Sequence, residues 1–165
     1  MSGLKHSAMS VLLVVLFATF GCSPQAKQMN DPRTEGTFIL YSLDGDRYPG
    51  DPVPEGAVLL HGWPILKECD IDPVATRHKI FAALDAGIED ASGMSSDMLP
   101  DCFNPHHAIR VETEGVAVDY VICFKCSQYE IWQGEKRVSG GKTSAAPRKT
   151  FDAVLAECVE KKGSG

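Results

Sequence analysis

The chain has 165 residues, a formal net charge of −6, 44% hydrophobic residues and 23% charged residues. These proportions are typical of a globular protein, and they exclude a largely disordered or collagen-like chain. The acidic balance argues against nucleic acid as a partner, because phosphate backbones attract basic surfaces. The length suits a single domain once an export signal has been removed.

Residues 1–21 are interpreted as an export signal. Lys5 and His6 form a short polar start, and an apolar stretch then runs over residues 9–20. This stretch is too short to cross about 30 Å of hydrocarbon as a permanent helix, whereas it is typical of a secretory signal peptide. The sequence therefore predicts an extracytoplasmic protein.

Cys22 directly follows the apolar stretch, with Gly21 before it. This pattern resembles the bacterial lipobox, in which the cysteine takes the lipid and becomes the mature N-terminus. We therefore expect a membrane-anchored lipoprotein, and Ser23 at the next position favours the outer membrane or the periplasmic face. The alternative is an ordinary signal peptide cut nearby, for example after Ala26, with Cys22 discarded.

A tether is predicted over residues 22–36. This segment is polar, contains two prolines and has almost nothing to bury, which is the composition of a flexible spacer. A single folded domain is then expected over residues 37–162, where apolar segments alternate with turn signals.

Strands are predicted where β-branched and aromatic residues lie between turn signals. The segments are residues 37–43, 57–61, 108–112, 116–126 and 128–132. The chain from residue 108 onward, with turns at 114–115 and 133–135, has the pattern of an antiparallel meander.

Two helices are predicted on either side of this meander. The first has Asp72 as its N-cap and Pro73 at its first helical position, and it ends near Ala91. The second starts at Pro147, and its apolar residues recur at helical spacing: Phe151, Val154, Leu155 and Cys158. The predicted fold class is α+β, an antiparallel meander sheet with two helices packed on one face.

Five cysteines remain if Cys22 is lipidated: Cys69, Cys102, Cys123, Cys126 and Cys158. An odd number in an exported protein leaves at least one thiol free or metal-bound after disulfides form. For Cys69 and Cys158 two interpretations stay open. They form a structural disulfide, or both are buried as small apolar side chains.

Cys102, His107, Cys123 and Cys126 have the ligand types and number of a tetrahedral Cys₃His zinc site. Strand geometry favours a disulfide between Cys102 and either Cys123 or Cys126, with the remaining thiol idle. In an unbroken strand over 116–126, Cys123 and Cys126 point to opposite faces, so both reach one metal only across a bulge. No cofactor is therefore expected, and zinc is the alternative.

Redox chemistry at the Cys123–Cys126 CxxC motif is a third interpretation, since such a pair can lower the pKa of a thiol. Thioredoxin-like motifs begin a helix, whereas Ser127 and another predicted strand follow here, which disfavours it. His106 and His107 are candidate acid–base groups, but the sequence identifies no carboxylate or hydroxyl partner for them.

Two short segments resemble motifs of a small bacterial domain of unassigned activity that recurs in exported proteins and lipoproteins. Residues 102–109 match its CFxPRHG-type motif, and residues 122–126 match its ICFxC-type motif. His106 stands where Arg is expected, and Ala108 stands where Gly is expected. The resemblance extends over roughly residues 37–161. It marks as a set Cys102, His107, Cys123 and Cys126.

These observations together predict a lipid-anchored envelope protein, non-catalytic and with a cysteine-stabilised core. Its contact with the membrane is the N-terminal lipid, and its protein or small-molecule partner is not identified by the sequence. Metal binding is the first alternative, and thiol–disulfide chemistry is the second.

Overall fold

The computed structural model describes residues 31–47, 51–95 and 102–158. The strands are β1 (Thr37–Leu43), β2 (Leu59–Leu60), β3 (Trp63–Asp70), β4 (His107–Thr113), β5 (Val116–Cys123), β6 (Gln128–Gln133) and β7 (Lys136–Lys142). The helices are α1 (Val74–Asp90) and α2 (Arg148–Glu157), and a short 3₁₀ helix spans Pro32–Thr34. Within these ranges, no helix combines the length and hydropathy needed to cross a membrane.

The strands form one antiparallel sheet in the order β2-β3-β1-β4-β5-β6-β7. β4, β5 and β6 form the meander expected from residue 108 onward. β7, which the sequence did not predict, extends it by one strand. β1 lies between β3 and β4 in the sheet. After β3 the chain passes through α1 and returns to the sheet as β4, on the other side of β1. The predicted α+β class is confirmed.

The strand predicted over residues 57–61 contains only Leu59 and Leu60, because a turn follows at His61 and Gly62. His61 and Gly62 have φ values of 49° and 88°, both in the left-handed region that a two-residue hairpin turn requires. Trp63 consequently pairs with Leu60 and starts β3. The apolar residues after this turn are therefore part of β3. The sequence did not predict this strand, because prolines and glycines lie around its start.

Two other predicted boundaries also differ. α1 begins at Val74, so Pro73 is its N-cap and Asp72 is not, and no side chain caps the helix. β5 ends at Cys123 instead of continuing to Cys126, because residues 124–127 form a turn that brings Gln128 opposite Cys123.

Two apolar clusters lie on opposite faces of the sheet, and successive residues of the central strands belong alternately to one and the other. The first joins Phe38 of β1 and Ile109 of β4 to Phe81 of α1 and Phe151 of α2. The second contains the residues of opposite parity: Tyr41, Leu43, Leu60, Ala108 and Val121. Successive strand residues point to opposite faces, so both faces of the central strands are buried.

The sheet curls around the second cluster. β2 and β6 are far apart in the strand order, yet the ring of His61, which follows β2, stacks on Trp132 of β6 with 4.4 Å between centroids. Trp63 and Trp132 are partly buried against the same cluster.

Residues 31–36 pack on the domain, although they fall within the predicted tether. Arg33 forms ion pairs with Asp31 (2.7 Å) and with Asp85 of α1 (2.6 Å), and its guanidinium lies over the Phe81 ring. The buried Arg77 donates to the carbonyl of Thr34 at 3.1 Å. The folded part therefore starts earlier than residue 37. The predicted export signal, Cys22 and the rest of the tether lie outside the described residues.

Candidate functional site

Three cysteine sulfurs meet where β5 turns into β6. Cys123 ends β5, and Cys126 lies in the turn at 124–127, so the two Cα atoms are 5.1 Å apart and the sulfurs form a disulfide. Cys102 approaches from the segment before β4, and its Sγ lies 3.1 Å from the Sγ of Cys126. We call these three residues the cysteine cluster.

The cluster combines one exposed thiol with two buried sulfurs. Cys123 and Cys126 are both 0% exposed, whereas Cys102 is exposed and is the free cysteine of the described part of the chain. The backbone N–H of Cys126 donates to Cys123 Sγ at 3.0 Å, and that of Asn104 donates to Cys126 Sγ at 3.4 Å. Two backbone donors therefore point at the disulfide.

The disulfide expected between Cys102 and either Cys123 or Cys126 is not the one that the structure contains. The expectation rested on an extended strand, in which residues three apart are separated by about 10 Å and face opposite ways. Ser127, with a φ of 55°, completes a turn that folds the chain back and brings Cys126 onto Cys123. Cys102 is left as the neighbouring thiol.

The predicted zinc ligands are not gathered at one point. His107 uses its Nε2 in a hydrogen bond to Asp152 of α2, and its ring packs against Phe124 and Phe151. Across residues 31–47, 51–95 and 102–158, no group of three or more His, Cys, Asp or Glu side chains is arranged to hold a metal ion. The described residues therefore do not form the predicted Cys₃His site.

The buried His107 of β4 pairs with the exposed Asp152 of α2. The Nε2 atom of His107 lies 2.8 Å from Oδ1 of Asp152, and the imidazole is 5% exposed. Burial lowers the pKa of His107 below its usual range, although the hydrogen bond to Asp152 opposes this shift. A carboxylate accepts only, so Nε2 carries the proton and donates it, and Nδ1 is an acceptor.

Nδ1 of His107 has no hydrogen-bond partner, and it is the one buried side-chain nitrogen or oxygen in that state among the described residues. His107 borders a cleft of about 370 Å³ that is also lined by Asp46, His106, Phe124, Lys125 and Arg148. Phe124 and Lys125 lie in the same turn as Cys126. The cleft and the cysteine cluster thus share one turn.

A buried acid, Asp119, lies on the other face of the sheet. Asp119 is 1% exposed and accepts hydrogen bonds from Arg110 Nε (2.7 Å) and Nη2 (2.8 Å). Nε2 of His61 lies 2.7 Å from its Oδ2. Each carboxylate oxygen therefore has a charged or polar partner. These hydrogen bonds of Asp119 with Arg110 and His61 stabilise the curled form of the sheet.

Cys69 and Cys158 form a disulfide with Cα atoms 6.0 Å apart, which decides the alternative that the sequence left open. Cys69 is buried in β3, and Cys158 caps the C-terminal end of α2. Lys67 donates to the carbonyls of Leu155 and Cys158 at 2.8 and 3.0 Å. The end of α2 is therefore held to β3 by one covalent bond and two hydrogen bonds.

Sequence reasoning missed the partners that the two buried histidines acquire. Asp152 lies 45 residues after His107, and Asp119 lies 58 residues after His61. The one local signal was that Asp152 follows Phe151, so it borders the buried stripe of the last helix. No comparable pattern points from His61 to Asp119.

Comparison of the chain with known family models, with curated proteins and with solved structures finds no match.

Proposed function

We propose that the chain is a lipid-anchored extracytoplasmic envelope protein, whose cysteine-stabilised domain binds a partner without catalysing a reaction. The observation that carries this proposal is a lipobox-type Cys22 in a chain whose folded domain has the disulfide Cys69–Cys158. Disulfides persist in oxidising compartments outside the cytoplasm. The leader and the disulfide therefore support the same compartment.

A non-catalytic role is supported by the surroundings of His107. Burial lowers the pKa of His107, and its Nδ1 has no serine or cysteine in hydrogen-bond contact among the described residues. A hydrolase triad needs a nucleophile at that nitrogen. We therefore assign the pair of His107 and Asp152 a structural role, which is to hold α2 against the start of β4.

We also infer that α1 and α2 cover the same face of the sheet. The inference is supported by the first apolar cluster, which contains residues of both helices together with alternate residues of β1 and β4. The resemblance of residues 102–109 and 122–126 to the small exported bacterial domain is part of the same proposal.

The anchor is tested by producing the full chain in a diderm bacterium with labelled palmitate. We expect the wild type to carry label and to fractionate with the outer membrane, and Cys22→Ala to carry none. Ser23→Asp is the matched variant, because it keeps the lipidated cysteine and is expected to shift the protein to the inner membrane. An unlabelled wild type that is cut elsewhere, for example after Ala26, would overturn the proposed anchor.

A further inference from the structure

We propose that Cys102 is the exposed thiol through which the buried Cys123–Cys126 disulfide exchanges with dithiols outside the domain. The domain would thereby accept two electrons from a dithiol of its own compartment, such as a reduced pair of cysteines on another protein. This activity goes beyond the proposed anchoring and partner binding.

Cys102 is the member of the cysteine cluster that is accessible from outside the domain. A thiol–disulfide exchange requires a thiolate to reach a sulfur of the disulfide. Cys123 and Cys126 are both 0% exposed, so an external thiol has no direct approach to either sulfur. Cys102 is exposed and touches Cys126, so it connects the buried bond with the solvent.

The Sγ atoms of Cys102 and Cys126 are 3.1 Å apart. This distance lies within the range of about 3–3.5 Å for reacting atoms in a near-attack arrangement. Cys126 is therefore the sulfur that Cys102 attacks, and Cys123 is the leaving group. The backbone N–H of Cys126, 3.0 Å from Cys123 Sγ, stabilises the thiolate that departs.

The exchange balances within the domain. The Cys102 thiolate attacks Cys126 Sγ, the Cys102–Cys126 bond forms, the Cys123–Cys126 bond breaks, and Cys123 takes up the proton that Cys102 lost. No oxidant or reductant is consumed. The product is a disulfide isomer in which one sulfur, that of Cys102, is exposed.

The external dithiol reacts with this isomer. Its first thiolate attacks Cys102 Sγ, a mixed disulfide forms, and Cys126 leaves as a thiolate that is then protonated. The second thiolate of the dithiol attacks the sulfur already bound to Cys102, which releases Cys102 and completes the dithiol's own disulfide. The dithiol is oxidised by two electrons, and Cys123 and Cys126 are reduced. One dithiol is consumed per domain, so the transfer is stoichiometric and needs no turnover.

The test uses the purified full chain in detergent, treated with dithiothreitol at neutral pH. Samples are quenched with N-ethylmaleimide over time, and the surviving disulfides are measured by peptide mass spectrometry. We expect Cys102→Ser to slow reduction of Cys123–Cys126 by at least about tenfold, relative to reduction of Cys69–Cys158 in the same sample. Equal relative rates in the two proteins, or a faster rate in Cys102→Ser, would overturn the proposal.

A second pair of variants tests which sulfur Cys102 meets. After treatment with oxidised glutathione, we expect Cys123→Ser to contain a Cys102–Cys126 disulfide, because these sulfurs are in contact. Cys126→Ser is the matched control, and in it Cys102 and Cys123 are expected to remain unlinked. A Cys102–Cys123 bond in this control, or no link in Cys123→Ser, would contradict the assigned attack on Cys126. Both assays use purified protein, so their failure leaves the proposed lipid anchor untouched.

Discussion

Arg110 and Asp119 face each other across β4 and β5 and are joined by two hydrogen bonds of 2.7 and 2.8 Å. The carboxylate is buried beneath the curled sheet, whereas the guanidinium is partly exposed. His61 contacts the same carboxylate from the turn between β2 and β3. One acidic side chain thus links three parts of the sheet.

Removal of the Asp119 charge is expected to destabilise the domain. We predict that Asp119→Asn lowers the free energy of unfolding by about 1.5–3 kcal/mol, because the hydrogen bonds to the buried charged carboxylate are weakened or lost. Arg148→Gln is the control, since its pair with Asp152 is exposed and is worth at most about 0.5 kcal/mol. Urea unfolding measures both, and a loss of similar size in the two variants would contradict the central role of Asp119.

The disulfide between Cys69 and Cys158 is expected to stabilise the domain strongly. It spans 89 residues, and closure of a loop of this length destabilises the unfolded chain by about 4.6 kcal/mol through lost conformational entropy. We predict a loss of that size in the double variant Cys69→Ala/Cys158→Ala, measured by urea unfolding. Cys102→Ala, at the exposed free thiol, should change stability by no more than about 0.5 kcal/mol. An unchanged midpoint in the double variant would show that the bond is dispensable.

The buried His107 predicts a loss of stability in mild acid. Because its pKa in the folded protein is below the unfolded value of about 6.5, the unfolded chain binds the proton first as the pH falls. The contribution of the neutral ring to the free energy of unfolding is fully present above the unfolded pKa and is lost progressively as the pH falls below it. We expect the free energy of unfolding to decline less steeply in His107→Gln than in the wild type as the pH is lowered. Parallel curves for the two proteins would argue that His107 is not responsible.

Gly87 lies where α1 meets the segment that leads into α2. A Cβ atom at this position would collide with the ring of Pro147 and would lie 2.8 Å from Thr143 Oγ1. We predict that Gly87→Ala costs about 1–3 kcal/mol through overpacking. This loss is expected even though alanine favours a helix by about 1 kcal/mol over glycine.

Gly93 supplies the matched control for this prediction. It follows α1, and a Cβ atom there meets nothing within 4 Å. Gly93→Ala should therefore unfold at the wild-type midpoint. If thermal or urea unfolding gave the same change for both variants, the close approach at Gly87 would not be the cause.

Local patterns were sufficient for much of the secondary structure. The strand at Thr37–Leu43 has the predicted bounds, and the predicted turn is present at Glu114 and Gly115, which both have positive φ values. The apolar stripe of the last helix is buried at Phe151, Val154 and Leu155, as predicted. Each of these features depends on residues that are neighbours in the chain, so a single sequence contains the information.

The candidate site was predicted only in part. The sequence marked Cys102, Cys123 and Cys126 as a set, and the structure brings their sulfurs together. His107 was expected in the same set but bonds to Asp152 instead. The pairing of Cys123 with Cys126 was missed because it depends on where β5 ends, and strand ends are weakly specified by composition.

The sequence by itself determined the α+β class, the meander and the three cysteines that form the cluster. It is also the whole basis for the proposed export and lipid attachment at Cys22. Only the tertiary structure decided which sulfur bonds to which, that Asp152 meets His107, and that Asp119 holds both Arg110 and His61. The physical reason is that these contacts join side chains far apart along the chain. Their approach depends on how the sheet curls and how the helices pack, which no local pattern encodes.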